Sequence, residues 1–316
     1  MKLLSIGMAF CDIPLRPCPQ NILKLDNWHI DPVKYQIGGD AMTVAVVCAK
    51  MGEEVRIATH LGDDNNGEFV RQSSEAFGVE HVLAPIKNMS TATSYQLIEA
   101  NGERHFLVDN EILKLLKSKD IPDEEIHRAD VVFFGSALAL PGMDDQELTE
   151  LFRRAHGKGK ITAMDASVNV ADYPPCHLDL LRSTMFNLDI FIPSYEEASW
   201  LAQKTEVMDI MEVFSQFPFR VFGIKLGADG CILTEKFRDY VRKEPFSVLP
   251  VVDTTGAGDC FMGGFLCAWM KGWSLEKCAE FGSAVAAFGI SAVGPSTAVP
   301  DYGTVFSFLK KHATGW

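Results

Sequence analysis

Along the chain, short runs of consecutive apolar residues alternate with stretches whose apolar positions recur every three or four residues. Residues 2–10, 55–61, 131–134, 160–164, 189–192 and 221–225 are of the first kind and predict strands buried on both faces. The first of them is expected to deliver Asp12 at the C-terminal end of a central strand, where open parallel sheets collect ligands. Residues 144–156 are of the second kind, with Leu148, Leu151, Phe152 and Ala155 on one face. So is the helix opened by Gly38-Gly39-Asp40, which turns Ala41, Val44, Ala45, Val47, Cys48 and Met51 inward and stops at Gly52. Residues 274–292 and 302–311 read as closing helices. The alternation predicts an α/β fold with a mostly parallel central sheet covered on both sides. No linker divides it, so residues 1–316 read as one domain.

Two segments break the pattern. Residues 13–37 are Pro-rich with short apolar alternations, and residues 91–100 and 103–108 are β-like arms around Asn101-Gly102, a hairpin signal because both turn positions favour φ > 0. Together they predict a second, small β-sheet from about 13–37 and 91–108.

Candidate chemistry gathers near the C-terminus. Residues 246–252 read as a short buried strand through Val248, Leu249, Val251 and Val252, and Asp253-Thr254-Thr255-Gly256-Ala257-Gly258-Asp259-Cys260-Phe261 then opens a run of helix formers. A helix start leaves N–H groups unpaired and carries positive partial charge, so its natural ligand is an anion. Gly256 and Gly258 let the backbone close around phosphate oxygens. A fixed carboxylate has no electrostatic use beside a phosphate unless it accepts a proton from whatever attacks the phosphorus, so Asp259 points to phosphoryl transfer onto a hydroxyl. A helix start is also expected to lower the pKa of Asp259 and make it a weak base. As a bare pattern, an Asp in a first helical turn is an ordinary stabilising feature.

The longer string Asp-Thr-Thr-Gly-Ala-Gly-Asp-Cys-Phe-x-x-Gly-Phe closely resembles the C-terminal signature of the ribokinase-like, or PfkB, family of carbohydrate and nucleoside kinases. The resemblance extends to Gly38-Gly39 at a helix start, to Gly62-Asp63-Asp64 and to the closing loop 294–300. It implies a ribokinase-like three-layer sandwich whose small sheet is a lid over the substrate, with ATP and Mg2+ as cofactors. By this resemblance Asp259 is the catalytic base and the amides of Gly256, Ala257 and Gly258 form the anion hole. Asp12, Gly38, Gly39, Thr43 and Arg104 fall at substrate positions, with Thr43 standing where relatives carry Asn. Lys225, Gly227, Asp229, Gly230 and Thr255 fall at the nucleotide phosphates. Glu197, three residues after Ser194 where relatives carry Asn-x-x-Glu, is the magnesium residue, acting through water. Asp253 and the closing loop are a candidate holder of a monovalent cation such as K+.

Composition narrows the partners. Hydrophobic residues make up 47% of 316 and the formal charge is −13, which disfavours nonspecific nucleic-acid binding. The apolar segment 281–293 is too short to span a bilayer. Eight cysteines lack any Cys-x-x-Cys pair, so reduced thiols in the cytoplasm are the simpler account. The leading expectation is an ATP-dependent kinase for a primary hydroxyl of a small sugar. The alternatives are a nucleoside kinase on the same fold and a noncatalytic sugar or nucleotide sensor, with a lid-mediated homodimer as the partner expectation.

Overall fold

The computed structural model describes residues 1–100, 102–168 and 177–316. Asn101 of the anticipated turn and Cys176 lie outside them. The strands of the large sheet are β1 (Lys2–Ile6), β4 (Glu54–Ala58), β5 (Val79–His81), β8 (Val131–Ala137), β9 (Ile161–Ala166), β10 (Ile190–Phe191), β11 (Val221–Lys225), β12 (Cys231–Glu235) and β13 (Tyr240–Lys243). Their order is β13-β12-β11-β10-β9-β8-β1-β4-β5, parallel from β5 to β11 and ending in an antiparallel β11-β12-β13 edge.

Side-chain alternation explains why both faces are dry. In β8, Val131 and Phe133 point into one apolar cluster and Val132 and Phe134 into the other. The first cluster is closed by α1 (Asp40–Lys50), α8 (Ala257–Met270), α9 (Leu275–Gly289) and α10 (Tyr302–His312). The second is closed by α4 (Asp145–Gly157), α6 (Tyr195–Ala202) and α7 (Val207–Phe214). Each fully buried Phe contributes about 2–3 kcal/mol of transfer free energy, so a strand that feeds both clusters resists displacement. The C-terminal ends of β1, β8, β9 and β11 are therefore fixed points from which site residues can be hung.

The small sheet has the order β3-β2-β6-β7, with β2 (Phe10–Leu15), β3 (Gln36–Gly38), β6 (Thr93–Ile98) and β7 (Arg104–Asp109). β6 and β7 form the anticipated hairpin, with Gly102 at φ +90°. One expectation is corrected here: the run 2–10 is not one strand. β1 stops at Ile6, and from Phe10 the chain is already in the small sheet, so Asp12 belongs to that sheet and not to the end of a central strand. Apolar periodicity cannot register a change of sheet inside a continuous apolar run.

A second correction concerns residues 246–252. They form no strand, and Val248, Val251 and Val252 are 53%, 67% and 53% exposed. β-branched residues fit a strand only where a partner offers hydrogen bonds. This segment follows the edge strand β13 and, among the described residues, finds no partner strand, only the single Val252 amide bond to the Ile290 carbonyl. Phe246 instead packs on Phe308 of α10 at 5.2 Å between ring centroids.

Candidate active site

Between the C-terminal ends of the large sheet and the inner face of the small one lies a cleft of about 760 Å3. Its roof follows from strand register: Asp12 pairs with Ser94, Ser94 with Val108, and Gln96 with Phe106, so these five side chains share one face and all line the cleft. Asp12 is buried, and burial raises its pKa to about 7 against hydrogen bonds from Gln96 and Ser94. Gly38 is required opposite it, because a Cβ there would lie 2.0 Å from Asp12 Oδ2. Gly39, at φ +95° and packed against the Met8 carbonyl, turns the chain into α1. Thr43, in the first turns of that helix, also lines the cleft. Its hydroxyl donates to the Gly39 carbonyl at 2.8 Å, which leaves only acceptor capacity for a ligand.

The floor is the anion turn. Gly256 adopts φ +73° and caps α8, and Asp259 lies in the first turn of that helix. The Ala257 amide is directed to the Thr254 carbonyl at 3.2 Å. Among the described residues, the amides of Gly256, Gly258 and Asp259 have no partner, so they are the open donors of the turn. Lys225, at the end of β11, borders the turn closely enough that a Cβ on Gly258 would meet its Nζ at 3.0 Å. Its ammonium pairs with Asp165 at the end of β9. Burial works against that charge, but Asp165, Glu197 and Asp259 outweigh it and hold the Lys225 pKa above its ordinary value.

Asp259 differs from the expectation of a lowered pKa. Burial first, and then the charge of Asp40, push it up to about 7, and Lys225 only partly opposes them. Desolvation and a like charge outweigh the helix dipole here. Asp40 is itself raised to about 6 by burial, against hydrogen bonds from Ser136 and the Ala41 amide. Its Oδ1 takes both of those bonds, whereas the buried Oδ2 has no partner among the described residues and belongs to a side chain that lines the cleft.

Other predicted residues fall around this centre. Glu197 lines the cleft while its carboxylate accepts the Ser194 amide at 2.8 Å, a capping box that starts α6. Gly227 and Thr255 line the cleft, whereas Asp229 and Gly230 lie in the same turn as Gly227 but outside the lining. Arg104, expected at the substrate, does not line the cleft. It leaves the start of β7 to pair with Asp253 at 2.6 Å and with the Thr255 hydroxyl. Sequence reasoning did not single out Ser94, Gln96, Ser136 or Lys50. Ser136 carried a usable signal, a lone polar side chain near the end of the apolar strand β8.

Residues 2–301 match the family described as pfkB family carbohydrate kinase. The chain belongs to that family. The kinase is therefore an ATP-dependent phosphotransferase with an alcohol acceptor, as the anion turn with its adjacent acid suggested. It is 26% identical to an ATP-dependent ribose-1-phosphate kinase of Halopiger xanaduensis, over 98% of this chain and 99% of that one. It is 28% identical to a 2-dehydro-3-deoxygluconokinase of Haemophilus influenzae, over 81% and 87%. Among solved structures, an adenosine kinase from Sinorhizobium meliloti superposes with a TM-score of 0.83 at 25% identity, covering 97% of this chain and 98% of that one. No helix among the described residues is long and apolar enough to cross a membrane.

Proposed function

We propose that the kinase phosphorylates a primary hydroxyl of a small, uncharged, furanose-like sugar, with Asp259 as the base. The observation that carries this reading is the position of Asp259 at the mouth of the anion turn, beside unpartnered amides and with a proton affinity near neutrality. The hydroxyl oxygen attacks the γ-phosphorus of ATP, the bond from that phosphorus to the bridging oxygen breaks, and ADP leaves. Asp259 takes the hydroxyl proton, while the Gly256, Gly258 and Asp259 amides and Lys225 bind the phosphoryl oxygens. Positioning and electrostatics supply most of the rate in a loose phosphoryl transition state.

Among the described residues no three His, Cys, Asp or Glu side chains are grouped to hold a metal outright. The Glu197 carboxylate in the cleft fits a magnesium ion that keeps its waters and is bound chiefly through phosphates. Glu197 would hold it through water, and the ion supplies charge neutralisation on the phosphates when bound.

Sugar rather than sugar phosphate is favoured by charge. Asp12 and Asp40 line the acceptor side, and Lys225 is the one cation among the described residues of the cleft. Buried carboxylates accept hydrogen bonds from hydroxyls and repel a second phosphate. A nucleoside acceptor is the second reading, favoured by the apolar rim of Met8, Phe10, Phe106 and Val108, on which a base could stack. On the outer face of the lid, Tyr95 and Leu107 are directly paired and 41% and 60% exposed, and we read them as the contact between two copies.

Measuring ADP release against a panel of sugars and nucleosides tests the substrate assignment. Asp259→Asn is expected to lower kcat by about 10²–10⁴-fold with an unchanged circular dichroism spectrum. Near-normal turnover in that variant would remove Asp259 from the mechanism.

A further inference from the structure

The family resemblance assigns Asp253 and the closing loop to a monovalent cation. Their acceptors in this chain do not fit one. Asp253 is 5% exposed. Its Oδ1 accepts from the Arg104 guanidinium at 2.6 Å and from the Thr255 amide at 2.8 Å, and its Oδ2 from the Gly294 amide at 2.9 Å. Burial alone would raise its pKa, but Arg104 and the Gly294 and Thr255 amides outweigh it and hold the carboxyl below its ordinary range.

The nearby carbonyls are engaged as well. The Lys50 ammonium, from the end of α1, donates to the Ser296 carbonyl at 2.7 Å and the Val299 carbonyl at 3.0 Å. The Cys260 thiol donates to the Pro295 carbonyl at 2.9 Å, and the Ile290 carbonyl accepts the amides of Val252 and Asp253. A monovalent cation needs a shell of free oxygens and no positive neighbours. Two side-chain cations already occupy this shell.

We propose that Arg104 is the counter-charge of Asp253, so that the anion turn requires no monovalent cation and is ordered by seating of the lid instead. Arg104 is the first residue of β7, a lid strand, whereas Asp253 and Thr255 belong to the turn that presents Gly256. The guanidinium grips both of them, and Asp253 in turn holds the amides of Thr255 and Gly294 on either side of the turn. Arg104 is thus a positioning residue: it acts on the reacting groups through Asp253 and Thr255. Withdrawing the lid removes the charge that keeps the turn in shape, which couples phosphate binding to closure. The catalytic part of this inference rests on the kinase reading above.

The test compares full-length wild type, Arg104→Ala and Arg104→Lys in potassium chloride and in tetramethylammonium chloride at equal ionic strength. Steady-state kinetics use the best acceptor of the panel, and thermal unfolding midpoints are taken without substrate. Wild type is expected to turn over within twofold in the two salts and to unfold at the same temperature in both. Arg104→Ala is expected to lose at least tenfold in kcat, with a smaller change in the KM for the acceptor, and to unfold earlier. Either Arg104→Lys or potassium should restore the loss. A wild type that needs potassium overturns the proposal, as does an Arg104→Ala variant that keeps its kcat and midpoint or is restored by neither remedy. If no acceptor is phosphorylated the proposed acceptor class fails by itself, and the unfolding midpoints, read by the same criteria, still decide the cation question.

Discussion

At the scale of single residues, the site is governed by carboxylates held where charge is costly. Asp40 and Asp259 both have pKa values raised above the usual carboxylate range, to about 6 and about 7, each chiefly by burial. A raised pKa means that the folded state binds the proton more tightly than the unfolded chain does. The stability so gained is complete below about pH 4 and is lost as pH rises through 6 to 7. For catalysis by the proposed mechanism the sign is opposite, because Asp259 acting as base must be deprotonated to accept the hydroxyl proton. The kcat/KM profile is expected to rise with pH and level off above about 7. Asp40→Asn removes one of the charges that raise Asp259. It should move that limb to lower pH and add about 1–2 kcal/mol of stability at pH 8, with no gain at pH 4. Kinetics and denaturant melts at the two pH values check this. A limb that stays in place in the variant would mean that Asp40 does not set the proton affinity of the base.

At the scale of elements, what was legible in the sequence was what burial writes into it. The central strands show because both of their faces are apolar. The β6–β7 hairpin shows because its turn needs glycine-type dihedrals, and α8 because its glycines and Asp259 stand at its start. Three features were illegible for physical reasons. The passage of the chain from β1 to β2 is hidden because both are apolar, and it moved Asp12 from floor to roof. The run 246–252 has strand-forming residues without a strand to pair with. Arg104 is fixed by a partner about 150 positions away, a distance that local pattern does not report. The contact between β2 and β3 within the roof yields a prediction of its own. Gly38→Ala places a methyl group within 2.0 Å of Asp12 Oδ2, so either the carboxylate or β3 must shift. The expected result is a KM for the acceptor raised about tenfold or more, with the KM for ATP changed little, measured by varying each substrate in turn.

At the scale of the whole molecule, the small sheet is an edge-bearing sheet with two unlike faces. Its inner face carries Asp12, Ser94, Gln96, Phe106 and Val108, while Tyr95 and Leu107 lie outside. Exposed apolar side chains beside an unpaired edge strand are either covered by a partner or prone to uncontrolled pairing. Leu107→Lys is expected to shift the protein from dimer to monomer in sedimentation equilibrium at micromolar concentration. A wild type that sediments as a monomer at that concentration would remove the two-copy reading and leave the phosphoryl-transfer chemistry untouched.

The root of the small sheet has a mechanical meaning. Only Gly7, Met8 and Ala9 separate β1, clamped between β4 and β8, from the roof of the cleft, which begins at Phe10. The Met8 amide donates to the Ser136 hydroxyl at 2.8 Å, and that same hydroxyl donates to Asp40. Met8 therefore ties the root of the roof to the hydroxyl that anchors Asp40, the acid facing Asp259. A displacement of the roof at Met8 would therefore reach Asp259 through Ser136 and Asp40, the neighbour whose charge helps to raise its pKa.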